Sequence, residues 1–266
     1  MCGRYAASAN ADELVLELEV DEVRVDEPLA PNYNLAPTDP APIVLTREPR
    51  GEDRLPTGEP AVRQLRVLRW GLVPSWAKDS KGGARMINAR AESVLTKGAF
   101  AKAARSRRCL VPADGYYEWQ ASPVATGPRG APRKQPFFVH RRDGQRLTMA
   151  GLYEFWKDPS VDPDDPAAWL TTFAIITTAA EPGMEQLHDR QPLVLDPEQW
   201  AGWLDPDEQD PDVVRGYLEG AAPGRLEAYP VSQAVNRREN GPQLLEPADP
   251  ATLEGVVDLA TGEIVG

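Results

Sequence analysis

Alternation of apolar and polar positions, more than helical periodicity, organises this chain. The segments 41–46, 62–72, 109–111, 116–119, 136–140, 146–152 and 169–178 carry β-branched and aromatic residues at strand spacing. One of them, Thr172-Phe173-Ala174-Ile175-Ile176-Thr177-Thr178, is apolar on both faces and is expected at the centre of a sheet. Helical patterns are fewer. Residues 8–19 put Leu14 and Leu18 on one face, with Ser8 or Asn10 as the cap. Residues 91–106 are rich in Ala, Lys and Arg and predict a second helix, with Glu92 near its positive end. Asp196-Pro197-Glu198 opens a third over 200–204, and a fourth covers about 210–220. Prolines 28, 31, 37, 40 and 42 break the chain into loop, and 47–61, 121–135 and 158–166 read as further loops. From 246 onward the chain reads as an acidic extension without site features, which predicts one domain over 2–245 and a tail over 246–266.

A length of 266 residues with 41% hydrophobic content supplies ample core for such a domain. No apolar run reaches the length of a membrane span, and no basic-then-apolar leader stands at the start. With only Cys2 and Cys109 there is no disulfide framework, and a reducing cytoplasm is the expected setting. Two His and two Cys leave little material for a zinc site, so no metal is expected. Cys109 lies in an apolar stretch and reads as a buried small hydrophobe. The net charge of −12 argues against a polyanion partner, but its distribution reverses that. Residues 61–109 hold twelve Lys or Arg against two acids, whereas 158–266 hold five against twenty-two. The basic stretch is either a polyanion-facing surface or the solvated face of a helix.

Several side chains in this frame carry chemistry. If Met1 is trimmed, Cys2 presents an α-amine and a thiol on adjacent carbons, which titrate near ~8 and ~8.5 in peptides. The amine condenses with an aldehyde and the thiol closes on the imine as a thiazolidine; the alternative is a cysteine that merely follows the start codon. Glu118, flanked by aromatics in Tyr116-Tyr117-Glu118-Trp119, is either a general acid with a raised pKa or a solvent-facing strand residue. His188 sits in the polar run His188-Asp189-Arg190 and suits proton transfer. Asn88 and Arg90 precede the predicted 91–106 helix, a natural anion site. Trp70 reads as core. Trp76 follows Pro74-Ser75 and precedes Lys78, and is expected to be exposed for stacking on a base. An extended segment at Tyr229-Pro230-Val231 leads into Val235-Asn236-Arg237-Arg238-Glu239-Asn240.

Taken in order, Met1-Cys2-Gly3-Arg4, Asn34-Leu35-Ala36-Pro37-Thr38, Trp70-Gly71-Leu72-Val73-Pro74-Ser75-Trp76, Asn88-Ala89-Arg90-Ala91-Glu92, Gly115-Tyr116-Tyr117-Glu118-Trp119 and His188-Asp189-Arg190 resemble the SOS-response-associated peptidase (SRAP) family. Members of that family protect and process abasic sites in single-stranded DNA. Gln191 stands where the family usually has Met. The resemblance implies a single compact α+β domain with a β-barrel-like core, peripheral helices and a basic groove. It implies that Cys2 attacks the abasic aldehyde and closes a thiazolidine, shielding the site, with self-removal of Met1 and with reversal or AP-lyase cleavage as side activities. By similarity Asn88 holds the adduct, Glu118 is the acid–base group and His188 assists proton transfer. Arg4, Arg90, Arg190 and Trp76 hold phosphates or bracket the strand, and Asn34 and Pro37 line the groove. No cofactor is implied. The expected partner is single-stranded DNA with abasic sites, bound by a monomer in the cytoplasm at the nucleoid. The competing readings are an N-terminal-nucleophile cysteine peptidase or hydrolase, and a non-enzymatic single-strand-binding module.

Overall fold

Apolar residues at every second position are buried on one face of a strand and fit its pleat, so strands outweigh helices in the regular structure. The computed structural model describes residues 2–49, 51, 57–162, 164–219 and 223–266; Met1 and part of the 47–61 segment lie outside the described residues. The chain begins with strand β1 (Tyr5–Ala7), helix α1 (Ala11–Glu17), β2 (Glu22–Arg24), β3 (Asn32–Leu35), β4 (Pro40–Arg47) and β5 (Val62–Trp70). Its middle holds β6 (Asn88–Arg90), α2 (Ala101–Ser106), β7 (Arg108–Ala113), β8 (Gly115–Thr126), β9 (Pro132–Arg141), β10 (Leu147–Lys157) and β11 (Trp169–Ala179). The last part holds β12 (Arg190–Pro192), α3 (Pro197–Leu204), α4 (Pro211–Leu218), β13 (Leu226–Pro230) and a small hairpin, β14 (Val256–Val257) with β15 (Ile264–Val265).

Five strands close on themselves. The antiparallel order β5-β4-β7-β10-β11 is sealed by parallel pairing of β11 with β5, Thr172 opposite Arg69 and Phe173 opposite Trp70. Alternation then sorts the side chains. Ile43, Leu45, Leu68, Trp70, Cys109, Val111, Met149, Phe173 and Ile175 belong to one buried cluster, while their neighbours Val44, Leu110, Ala150, Ala174 and Ile176 belong to another with the helices. Leu14 and Leu18, Phe100 and Ala103, Trp203, and Val214 cover that outer face. Asn10 caps α1 through a full capping box. Gly151 fits inside because any Cβ there would meet the Cys109 Sγ at 2.8 Å. As expected from its two apolar faces, β11 is central and pairs with four strands.

A second sheet, in the order β13-β9-β8-β1-β3, lies against this barrel. Tyr5, Leu35, Tyr116, Phe137 and Val139 from one of its faces join the cluster inside the barrel. Ala6, Tyr117 and Phe138 from its other face pack under Val231, Val235 and Leu244. The molecule is thus an α+β domain with a closed barrel core and peripheral helices.

Several expectations need correction, the loop over prolines 28 to 42 among them, since β3 (Asn32–Leu35) and the start of β4 lie within it. The 91–106 helix forms only over Ala101–Ser106; residues 91–100 are turns, because the Ser93 carbonyl accepts from the amides of Thr96 and Lys97 and from the Thr96 hydroxyl, and Gly98 weakens continuation. Asn88 and Arg90 consequently lie on β6, paired in parallel with β11, rather than at a helix start. Residues 121–135 are not all loop, since β8 runs to Thr126 and β9 begins at Pro132. The tail also packs: Val256 is buried in the main core, and Gln120 both donates to the Val257 carbonyl at 2.9 Å and accepts its amide at 2.7 Å.

Candidate active site

The first residues are held by backbone pairing on both sides. β1 runs antiparallel to β3 and to β8, with Tyr5 opposite Tyr116 and Ala6 opposite Gly115. The Tyr117 amide donates to the Arg4 carbonyl at 2.9 Å, so the pairing continues toward Glu118 as the chain approaches Cys2. Gly115 has no substitute here, because a Cβ would lie 2.5 Å from the Val139 carbonyl. The Asn88 side chain, projecting from β6, donates its amide to the Cys2 carbonyl at 2.7 Å. Its own Oδ1 is buried and meets no donor among the described residues. Cys2 is fully buried, and its thiol lies 3.9 Å from the Arg4 carbonyl. Tyr5 and Trp70 stand edge to face at 5.0 Å within the same cluster.

Burial sets the electrostatics. It pushes the Cys2 thiol up, and the nearby Glu118 charge adds to that. Glu118, buried on the barrel-facing side of β8, is itself raised, chiefly by burial, with Asp189 adding and Lys134 opposing. His188 is lowered, again chiefly by burial, and it senses the same Asp189 and Lys134 charges. Its Nδ1 lies 3.0 Å from the Arg190 amide and 2.7 Å from the Asp189 carboxylate. One nitrogen cannot serve both at once. Unprotonated, Nδ1 accepts from the amide; protonated, it donates to Asp189. The ring therefore has a partner in either state, as a proton carrier requires.

The remaining residues singled out in the sequence fall into two groups. Trp76 is 69% exposed and Arg90 is exposed on β6. Asn34, Arg4 and Arg190 are tied to protein. Arg4 Nη1 donates to Asn34 Oδ1 at 2.8 Å, and Asn34 Nδ2 donates to the carbonyls of Val235 and Glu239. Arg190 grips Glu92 with both terminal nitrogens and also the Thr177 carbonyl. Pro37 precedes Thr38, whose positive φ of 78° lets its amide reach the Trp70 carbonyl at 2.9 Å. Gln191 accepts from the Glu181 amide at 2.8 Å. Sequence reasoning passed over Lys134, whose charge reaches both Glu118 and His188; its only signal was a basic segment next to the Glu118 strand. Among the described residues, no group of three or more His, Cys, Asp or Glu is arranged to hold a metal. None of the helices among them is long and apolar enough to cross a membrane.

The family model described as SOS response associated peptidase (SRAP) matches residues 1–238. The chain belongs to the SRAP family. Curated relatives match over nearly their whole length, two of them as follows. Abasic site processing protein YoqW of Bacillus subtilis is 36% identical over 92% of this chain and 99% of its own length. Abasic site processing protein YedK of Escherichia coli is 30% identical over 93% of this chain and 100% of its own. Among solved structures, a protein from Bacteroides thetaiotaomicron superposes with a TM-score of 0.74 at 23% identity, over 93% of this chain and 100% of its own. The Bacteroides protein thus shares the fold described above.

Proposed function

We propose that this SRAP protein traps the ring-opened aldehyde of an abasic site in single-stranded DNA through Cys2. The observation that carries the reading is the pinning of Cys2 by Asn88, beside a buried carboxyl whose pKa is raised. Removal of Met1, which lies outside the described residues, converts the Cys2 amide nitrogen into a primary amine. That amine adds to the C1′ aldehyde, and Glu118 in its protonated form delivers a proton to the departing hydroxyl, so an imine forms and one water leaves. The Cys2 sulfur then bonds to the same carbon while its proton passes to nitrogen. The product is a thiazolidine, which lacks the imine that strand-cleaving β-elimination needs. His188 carries protons for closure and for reversal. Arg4, Arg90, Arg190 and Trp76 hold the flanking strand, with Asn34 and Pro37 shaping the wall from beneath.

The geometry does not favour the peptidase reading. Burial keeps the thiol protonated, and among the described residues no hydrogen bond joins it to His188. Intact-mass measurement after mixing with an abasic oligonucleotide tests the proposal. The expected product weighs the protein without Met1 plus the oligonucleotide less one water, is absent for Cys2→Ala, and resists borohydride. Tight binding without this product, unchanged in Cys2→Ala, would establish a binding module instead.

A further inference from the structure

Beyond position 157 the chain has only five basic residues. Arg190 pairs with Glu92, Arg215 with Asp212 and Arg225 with Asp196. Arg237 and Arg238 are exposed and carry no ion pair among the described residues, although this is the most acidic part of the sequence. The turn that carries them is fastened to the second sheet. The fastenings are specific. Residues Gln233–Arg237 form a 3-10 turn that ends at Arg238 in a left-handed conformation, φ 57°. Asn34 Nδ2 ties down one carbonyl within that turn, Val235 at 3.1 Å, and one just after it, Glu239 at 2.8 Å. Asn240 accepts the Tyr33 amide and donates to the Pro31 carbonyl. Trp119 Nε1 donates to Asn236, and Gln233 donates to the Lys134 carbonyl.

The same Asn34 amide that fixes this turn also receives Arg4 Nη1, so one side chain sets the positions of Arg4 and of the turn carrying Arg238. Burial first, and the neighbouring Arg238 charge second, pull the Arg4 guanidinium below its ordinary range. Arg4 Nε is buried and meets no acceptor among the described residues. Arg4 Nη1 also reaches the Val235 carbonyl at 3.4 Å, so the Arg4 guanidinium is anchored directly to the turn that carries Arg238, and two such cations on one anchor suit a single anion. We propose that Arg4 and Arg238 form a two-guanidinium site for one phosphodiester of the single strand next to Cys2, with Arg238 the contact not otherwise assigned. The inference deepens the abasic-trap reading and rests on it for the identity of the strand. A phosphate oxygen between the two forks accepts from both guanidiniums and relieves the repulsion between the cations.

Fluorescence anisotropy with an unmodified single-stranded oligonucleotide, over a salt series, tests this separately from adduct formation. Arg238→Ala is expected to weaken binding about fivefold near 0.1 M salt and to lower the slope of log affinity against log salt by about 0.7, the value of one single-strand phosphate contact. Arg238→Gly removes the same charge and accepts the left-handed backbone, so it should weaken binding equally while its melting temperature holds or rises. Arg215→Ala, which removes a charge on α4, should leave affinity and slope at the wild-type values. Wild-type affinity and slope in both Arg238 variants overturn the site. Absence of any adduct in the wild-type protein overturns the abasic-trap reading instead.

Discussion

Glu118 sits opposite Phe137 in the β8–β9 register, on the same strand face as Tyr116, and burial holds its carboxyl above the usual carboxylate range. The sign of the consequence is fixed. A raised carboxyl favours the protonated form in the folded state, so this group stabilises the fold below its unfolded pKa. That contribution disappears as pH rises through the folded value. Glu118→Gln mimics the protonated form and is expected to melt a few degrees above wild type at neutral pH. The gap should close as acid protonates the wild-type carboxyl, which calorimetry across pH can follow. For the proposed chemistry, adduct formation should slow as pH rises through the Glu118 pKa, and that limb should be missing in Glu118→Gln. The aromatic flanks of Glu118 were legible in the sequence but left it either an acid or a solvent-facing strand residue; its burial in the fold removes the solvent-facing reading. The role of Asn34 was not legible. Its partners Arg4, Val235 and Glu239 lie 30, 201 and 205 residues away, and only the folded sheet brings them to one amide.

At the scale of elements, the loop after β5 shows how rigidity reaches an exposed side chain. Trp70 is buried in the barrel and donates its indole NH to the Ile87 carbonyl at 3.0 Å. Gly71 follows at φ 124°, where a Cβ would lie 2.6 Å from the Gly83 carbonyl oxygen. The amides of Gly71, Leu72 and Val73 are bonded to Phe173, Met86 and Thr172. This fixes the stretch that ends in exposed Trp76 and also the approach to Asn88. Gly71→Ala combines a forbidden backbone with a backbone clash and is expected to lose more than about 2 kcal/mol in urea unfolding. Trp76→Ala removes a solvent-facing ring, so its stability should change by less than about 0.5 kcal/mol. Its affinity for single-stranded DNA should fall by about 1–3 kcal/mol, the usual worth of a base stacked on an aromatic ring. Strands were read well from sequence because burial on alternate positions is a local rule. The 91–106 helix was over-read because composition favoured helix while Ser93, Thr96 and Gly98 redirected the backbone, and the β6 pairing to β11 joins Asn88 to Ile175, far apart in the chain, which no local pattern announces.

Across the whole molecule, the basic stretch between 61 and 109 divides between cations tied into the fold and cations exposed on its surface. Arg63 pairs with Glu19 and Arg107 with Glu154, while Arg108 is buried and donates to the carbonyls of Ala104, Trp203 and Glu208 at the helix ends. Lys78, Lys81, Arg85, Arg90, Lys97, Lys102 and Arg105 of that stretch are exposed, and Lys134 on β9 and Arg237 and Arg238 after β13 add exposed cations from elsewhere in the chain. The tail is a structural counterpart to that surface. Val256 fills the main core, and the Val257 backbone exchanges two hydrogen bonds with Gln120, two residues beyond Glu118 on β8. Removing 246–266 opens a cavity at Val256 and strands the buried Gln120 amide, each effect worth about 1–3 kcal/mol. The truncated chain is expected to unfold at a urea midpoint well below that of the full chain, with slower adduct formation because Glu118 loses its support. Gln120→Leu within the full chain should be milder than truncation, since Val256 stays in place, and it should still slow adduct formation if the tail acts through β8. A truncated chain that unfolds at the wild-type midpoint would instead show that the hairpin merely rests on the barrel.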